Sequence, residues 1–166
     1  GGAPQAGDIK IIDQNGDGVI NTDDRVIIGN PNPDFTYGFQ TRFTWRGLSL
    51  SAQFNGVHGK DMINTNIRYQ AIPNRTGGNL RTEAWVGAWT AENRSNAYPR
   101  VNYTLPTPAV LDRYVEDASF LRCTDITLSY NLPKAVMKKI GFNSINIFGS
   151  VKNAFIITDY SGYDPE

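Results

Sequence analysis

Two neighbouring stretches of about ten residues, in which large and small or polar side chains alternate, constrain the fold more than any other feature of this sequence. From Thr36 to Trp45 the larger, mostly aromatic side chains fall on odd positions, and from Leu48 to Asn55 the apolar ones fall on even positions. Only Arg46-Gly47 separates the stretches, so the pattern predicts a β-hairpin with a tight turn. Strands this long exceed the usual length of about five or six residues and match a membrane crossing.

The phase of the alternation predicts which side chains of the hairpin face lipid and which face the interior of a barrel. The lipid-facing set is Tyr37, Phe39, Phe43, Leu48, Leu50 and Phe54, with Trp45 at the strand end in an aromatic girdle. The inward-facing set is Gln40, Arg42, Ser51, Gln53 and Asn55. An arginine facing lipid at mid-membrane would cost about 2–4 kcal/mol, so the shared phase of Arg42 and Gln40 supports this assignment.

Two further strands are predicted near the end of the chain. Alternation returns at Phe120–Tyr130, and a last strand is predicted at Ser144–Phe155. Between them, Lys134–Ile140 is predicted to form a short helix, with Pro133 at its start and Gly141 past its end. Because four long strands cannot close a barrel, which needs about eight, the strands form either a small open sheet or part of something larger.

The segment between the hairpin and Phe120 shows little strand pattern. It is rich in Asn, Gly and Pro, and its only predicted helix is Leu80–Trp89, with Asn79 as N-cap. Roughly sixty residues of irregular chain are unusual in a compact soluble domain but common in the outer loops of a membrane barrel.

Composition excludes several classes of protein. No stretch approaches the about 18 consecutive apolar residues of a transmembrane helix, and a hydrophobic content of 40% is compatible with barrel strands. Sixteen basic and sixteen acidic residues cancel without a basic stripe, which argues against nucleic-acid binding. The single cysteine, Cys123, allows no internal disulfide and is predicted to be a packed strand residue.

An Asp- and Asn-rich loop before the hairpin fits the pattern of a calcium-binding loop. Its oxygen ligands would be the side chains of Asp13, Asn15, Asp17, Asn21 and Asp24, together with the backbone carbonyl of Val19. Gly18 occupies the position at which such a loop turns sharply, whereas Asp24 replaces the usual glutamate at the last position. The spacing therefore predicts a structural Ca²⁺ site; the alternative is two fused turns without a metal.

Several motifs, in the same order along nearly the whole chain, resemble the SusC/RagA family of TonB-dependent outer-membrane transporters. They are Gly7–Lys10, Asp24-Arg25, Ile28–Pro33, Phe35–Phe39, Trp89–Asn93, Tyr98–Arg100, Tyr114–Arg122, Leu132-Pro133, Lys152-Asn153 and Tyr160–Glu166. The resemblance implies an all-β fold, in which this chain forms late, C-terminal strands of an antiparallel transmembrane β-barrel of about 22 strands with a plugged lumen.

The resemblance also implies partners, a location and the absence of enzymatic activity. The expected partners are a SusD-like surface lipoprotein, the TonB complex acting through parts outside this chain, an oligosaccharide or peptide substrate, and lipid of the Gram-negative outer membrane. A SusC₂D₂-type assembly is expected. The chain would divide into an outer loop region with the calcium-type loop (1–35), a transmembrane hairpin (36–57), a long outer loop (58–118), a strand–helix–strand segment (119–155) and the start of a last outer loop (156–166).

Aromatic residues of the outer loops are the candidate substrate contacts, because aromatic faces can stack on sugar rings. They are Tyr69, Trp85, Trp89, Tyr98 and Tyr103. The alternative for Trp85 and Trp89, which lie four residues apart, is packing of one helix onto the loop. The only histidine, His58, is expected to form a loop hydrogen bond, and the acidic residues at 112, 116 and 117 are expected to be solvated charges, not an acid–base pair.

Two other classes of protein remain open from the residues alone. One is a soluble, calcium-stabilised β-domain that binds carbohydrate, such as an adhesin or a module appended to an enzyme. It would pack the faces of Tyr37 and Leu48 onto a second sheet. The other is a glycoside hydrolase domain, which needs two carboxylates across a cleft; no pair on strand ends is placed to serve.

Overall fold

The computed structural model describes residues 5–70, 79–101 and 110–166. The chain divides into two compact units: a loop unit of Gly1–Gly29 and Ile63–Glu116, and a sheet unit of Asn30–Met62 and Asp117–Glu166. In chain order the elements are β1 (Phe35–Trp45), β2 (Leu48–His58), β3 (Asp61–Ile63), α1 (Thr65–Gln70), α2 (Thr82–Val86), β4 (Ala88–Trp89), β5 (Tyr98–Arg100), β6 (Val115–Asp117), β7 (Phe120–Asn131), α3 (Lys134–Ile140) and β8 (Asn146–Thr158). No helix in these ranges is long and apolar enough to cross a bilayer.

The sheet unit is built on one antiparallel sheet with strand order β1-β2-β7-β8. The predicted hairpin is present, with Phe39 opposite Phe54 and Trp45 opposite Leu48. β7 adds to the free edge of β2 and places Leu128 opposite Leu50, and β8 then pairs with β7. The all-β, antiparallel class expected from the sequence is confirmed, with the long loop inserted between the second and third strands of the sheet.

The turn of the hairpin has the geometry that its two residues predict. Arg46 has φ 49° and Gly47 has φ 87°, and the two positive values match the type I′ turn of tight hairpins. The Gly47 carbonyl accepts a hydrogen bond from the N–H of Asn131 at 2.8 Å, which joins the turn to the end of β7. The turn is therefore held both by the pairing of β1 with β2 and by its hydrogen bond to β7.

We expect Gly47→Ala to destabilise the hairpin by about 1–2 kcal/mol, because a left-handed conformation is costly for a residue with a side chain. A Cβ at this position would also lie only 2.8 Å from the Asn131 carbonyl oxygen. The measurement is the free energy of urea unfolding of the full-length protein refolded into lipid vesicles. Gly149→Ala is the control, since a Cβ there meets nothing within 4 Å; equal losses for the two variants would contradict this explanation.

The four strands of the sheet separate apolar from polar side chains onto opposite faces. The apolar face carries Phe35, Tyr37, Phe39, Phe43, Trp45, Leu48, Leu50, Ala52, Phe54, Leu121, Cys123, Ile126, Leu128, Tyr130, Ile147, Val151, Phe155 and Ile157. The other face carries Gln40, Arg42, Thr44, Ser49, Ser51, Gln53, Asn55, Arg122, Asp125, Thr127, Ser129, Asn146, Ser150 and Lys152, with Val57, Phe120, Phe148 and Ile156 as apolar exceptions. The sets predicted from alternation lie on the two faces as expected.

Most side chains of the apolar face are exposed, although Cys123 is buried. Every residue of β1 is exposed, and Phe43 and Leu50 are 65% and 46% exposed. Within the face, Phe39 stacks on Phe54 with 4.7 Å between ring centres, and Phe54 meets Phe155 edge-on at 6.3 Å. The sheet therefore presents a continuous apolar surface much larger than the isolated patches normal in soluble monomers.

A bulge interrupts the register without exchanging the faces. Thr124 has no partner in either ladder, because Phe54 pairs with Cys123 and Gln53 with Asp125. Its hydroxyl donates to the Gln53 carbonyl at 3.2 Å. The extra residue keeps Cys123 on the apolar face together with Ile126. Cys123 is a buried, free thiol, so its prediction as a packed strand residue is confirmed.

The short helix between the last two long strands was predicted correctly. α3 covers the expected residues, and Gly141 ends it in the left-handed region at φ 76°. The N–H groups of Gly141 and Phe142 both bond to the Met137 carbonyl. The last strand was also present, although β8 begins and ends slightly later than expected.

The predicted helix Leu80–Trp89 was wrong in its extent and its cap. Only Thr82–Val86 is helical; Arg81 precedes it without a side-chain cap, and Asn79 plays no part. Gly87 ends the helix by donating its N–H to the Glu83 carbonyl. Trp89 then enters β4, which pairs in parallel with β5. Tertiary pairing thus overrode the helical spacing of the two tryptophans. The helix α1 was not predicted at all.

Candidate functional site

The calcium-type loop is organised by hydrogen bonds from backbone N–H groups to its side-chain oxygens. The Asp13 carboxylate accepts from Gly16 and Gly18, both at 2.7 Å. In the same way Asn15 Oδ1 accepts from Asp17 N, Asp17 Oδ1 from Val19 N, and Asn21 Oδ1 from Asp23 N, at 2.7–2.9 Å. Gly16 and Gly18 take positive φ values of 76° and 82°, which lets the chain curl back around these oxygens.

Asp24 closes the loop. Its two carboxylate oxygens accept from the backbone N–H groups of Gln14 and Asn21, each at 2.8 Å. These two hydrogen bonds, first that from the backbone N–H of Asn21 and then that from Gln14, hold the pKa of Asp24 below its usual value. The hydrogen bond from Gln14 therefore ties the last residue of the motif to the residue after its first, Asp13.

The donor set of this loop suits a hard cation. Each side-chain oxygen that accepts one N–H keeps a second lone pair, and Ca²⁺ takes six to eight such oxygens. None of the ion pairs among the described residues involves a carboxylate of the loop. The described residues contain no cluster of three or more His, Cys, Asp or Glu that could hold a metal ion. Calcium binding by Asp13, Asn15, Asp17, Val19, Asn21 and Asp24 stays a prediction.

Two of the five candidate substrate contacts line one cavity in the loop unit. This cavity, the Trp89 pocket, has a volume of about 240 Å³ and is lined by residues 7–10, Trp89, Ser95, Asn96, Tyr98, Pro99 and Arg113. The parallel pairing of β4 with β5 brings Trp89 and Tyr98 to it. Trp85, by contrast, is 62% exposed on α2 and is not among the lining residues. The side chain of Tyr69 and the whole of Tyr103 lie outside the described residues.

At the Trp89 pocket Asp8 has a charged partner, whereas Arg113 forms no ion pair among the described residues. Asp8 Oδ1 accepts a hydrogen bond from the Arg100 guanidinium at 2.6 Å. Asp8 Oδ2 accepts one from the backbone N–H of Gln5 at 2.8 Å. The Gln5 amide, and then Arg100, hold the pKa of Asp8 below its usual value. Arg113 donates to the Ala97 carbonyl at 2.5 Å and lies 5.7 Å from the centre of the Tyr114 ring. Sequence reasoning missed Arg113 and its polar neighbours, because no local motif links these separate stretches.

A second cavity, of about 390 Å³, lies on the polar side of the sheet unit. Arg122 lines it and donates to Asp164 at 2.6 Å, with Glu166 at 3.4 Å. The hydrogen bond from the Arg122 guanidinium is the main reason that the pKa of the Asp164 carboxyl lies below its usual value. Lys60 also donates to the carbonyl of the fully buried Pro165. The Gly-Tyr-Asp-Pro-Glu motif is therefore tied to the beginning of β7.

The lone histidine and the acidic residues near it have structural partners. His58 lies 5.0 Å from the Phe35 ring, and its carbonyl accepts the N–H of Asp34. Glu116 accepts from the buried Asn64 amide. Asp117 accepts from Ser119, whose hydroxyl and backbone N–H are the main causes that lower the pKa of Asp117.

Comparison with known proteins assigns a family. No protein-family model matches the chain. The chain is 32% identical over 154 residues to TonB-dependent receptor P3 of Formosa agariphila, covering 93% of this chain and 15% of that protein. It is 26% identical to TonB-dependent receptor SusC of Bacteroides thetaiotaomicron, again covering 93% and 15%. A chain in the solved structure of the RagAB peptide transporter matches with a TM-score of 0.77 and 28% identity, covering 89% and 16%.

The fold and these matches define a segment of an antiparallel transporter β-barrel. The chain belongs to the SusC/RagA family of TonB-dependent receptors, as its motifs indicated. It spans only about 15% of the length of the curated relatives it matches.

Proposed function

We propose that the chain forms late strands and outer loops of a TonB-dependent outer-membrane transporter that imports nutrient molecules. The observation that carries this proposal is the uncovered apolar face of a sheet whose opposite face is polar. Lipid on one side and a water-filled or plugged interior on the other would satisfy both faces. The family of the chain supports the same function, since its relatives are named TonB-dependent receptors.

The rule of short inner turns and long outer loops orients the segment. The turn Arg46-Gly47 and the α3 connection would face the periplasm. The calcium-type loop and the long loop between β2 and β7 would face outward, as would the segment after β8. A soluble β-domain of the kind considered above is disfavoured, because its apolar face would be packed against a second sheet, whereas this face is exposed in the described chain.

The family supports a proposal for the partners and the substrate class. A SusD-like lipoprotein would cover the outer mouth in a SusC₂D₂-type assembly, and TonB would act through parts of the protein outside this chain. Either oligosaccharides or peptides could be the cargo; RagAB, a structural neighbour, is a peptide transporter. The chain's contribution would be wall and loops, without catalysis.

We also propose that the calcium-type loop binds one structural Ca²⁺. When bound, the ion would neutralise carboxylates that have no basic partner in the described chain. Asp13 and Asp24, at the two ends of the loop, would be joined through it. The loop would then stand as a rigid element at the outer surface.

The transport proposal is tested with the complete gene in its native cell. Deletion should abolish uptake of a fluorescent oligosaccharide or peptide that the cell normally imports, and the complete gene should restore it only when TonB is present. The protein should be recovered in the outer-membrane fraction. Recovery in the soluble fraction, or uptake that is unchanged by deletion for every saccharide and peptide offered, would refute the proposal.

A further inference from the structure

We propose that the Trp89 pocket binds an acidic sugar, meaning a ring that carries a carboxylate or sulfate group. The inference rests on the proposed function, because it assigns a substrate class to one outer-loop site of the transporter. It is carried by three features of the pocket: fixed aromatic walls, two cations without carboxylate partners, and polar side chains suited to hydroxyl groups.

Glycines at two contact points let the aromatic walls pack directly on the backbone. At Gly7, which has φ 88°, a Cβ would come within 2.6 Å of the Trp89 ring and 3.0 Å of Arg100 Cβ. At Gly87 a Cβ would come within 2.9 Å of the Tyr98 ring. Both rings are therefore closely seated, and both remain partly exposed. Rigid aromatic walls with a few polar groups are typical of small-molecule sites.

Two cations line the pocket without a carboxylate partner among the described residues. Neither Lys10 nor Arg113 takes part in any ion pair of the described residues. Residues 1–4, 71–78 and 102–109 contain no Asp or Glu either. The only carboxylate of the pocket, Asp8, has both oxygens engaged by Arg100 and Gln5. A bound anion would therefore meet two positive charges, and charge-assisted hydrogen bonds are the strong ones.

A sugar fits this pocket better than a stretch of peptide. Asn96 offers an amide donor and acceptor, and Ser95 offers a hydroxyl, which together suit neighbouring hydroxyl groups. A peptide that binds by adding a strand would need unpaired backbone groups along a strand edge. β5 already pairs with β4, and the Arg100 N–H is taken by the Gly7 carbonyl at 2.9 Å. The volume of about 240 Å³ also suits a single ring more than a chain.

The test compares an acidic with a neutral trisaccharide on the purified full-length transporter in detergent. Tri-galacturonic acid and tri-galactose are titrated by calorimetry at one fixed calcium concentration, because uronates themselves bind calcium. We expect tighter binding of the acidic probe. Lys10→Gln and Arg113→Gln should each weaken it about tenfold, and should change binding of the neutral probe little. Trp89→Leu should weaken both probes.

Matched controls separate binding from folding. Arg94→Gln removes an exposed cation of the same loop that does not line the pocket, and Trp85→Leu removes an exposed tryptophan on α2. Both should leave binding unchanged, and thermal unfolding should show that all variants are folded. Equal binding of the two trisaccharides would overturn the inference, as would equal effects of Arg113→Gln and Arg94→Gln. Tighter binding of tri-glutamate, again sensitive to Arg113, would overturn it in favour of an acidic peptide.

Uptake by cells that carry the same variants distinguishes the two proposals. Normal TonB-dependent import of another oligosaccharide, with no role for the pocket cations in binding, would refute the acidic-sugar site and leave the transporter intact. If uptake is the same with and without the gene, the transport function itself is refuted, whatever the pocket binds.

Discussion

Ala52→Arg should lower the free energy of unfolding of the full-length protein in a lipid bilayer by about 2–4 kcal/mol, whereas Gln53→Arg should leave it nearly unchanged. Ala52 is at the middle of β2 on the apolar face, opposite Thr41 and Ile126. Gln53 is the next residue, so it has nearly the same depth but projects to the polar face. It pairs with Asp125, which an arginine could contact favourably.

The pair of variants isolates the environment of the side chain, since both place the same charge on the same strand. Ala52→Leu serves as a size control and should be neutral or slightly stabilising, because lipid accommodates the larger side chain. Unfolding in urea from vesicles, followed by tryptophan fluorescence, gives the three free energies. Equal losses for the two arginine variants, or a larger loss at Gln53, would show that the apolar face does not meet lipid.

Removal of calcium should produce the second large effect. If the loop binds one Ca²⁺, a concentration of 100 times the dissociation constant stabilises the bound form by about 2.7 kcal/mol. Chelation should therefore speed amide hydrogen exchange within the loop, where the N–H groups of Gly16, Gly18 and Val19 bond to ligand side chains. Asp13→Ala should reproduce the chelated state and remove any further response to the chelator.

Asp23→Asn is the matched control for the calcium prediction. Asp23 lies in the same loop, but only its backbone N–H takes part, as a donor to Asn21. This variant should keep the full response to calcium. Exchange rates that ignore calcium, or an equal defect in the Asp23 variant, would favour the metal-free turns.

The sequence by itself determined the elements whose signal is local. Alternation over about ten residues identified β1 and β2 and separated their two faces, because successive side chains of a strand point in opposite directions. Arg46-Gly47 specified a turn with two positive φ values, and Gly141 specified the end of α3. In each case the information lies within a few residues of where it acts.

Only the tertiary structure decided which distant stretches meet. The pairing of β2 with β7 spans the long loop, and the bulge at Thr124 sets its register, although no local pattern marks either. Trp89 had the spacing of a helix but joined a strand, because pairing with β5 outweighed a weak helical preference. The Trp89 pocket combines side chains from separate segments. Long-range contacts depend on complementary surfaces that form together on folding, and periodicity along the chain does not encode them.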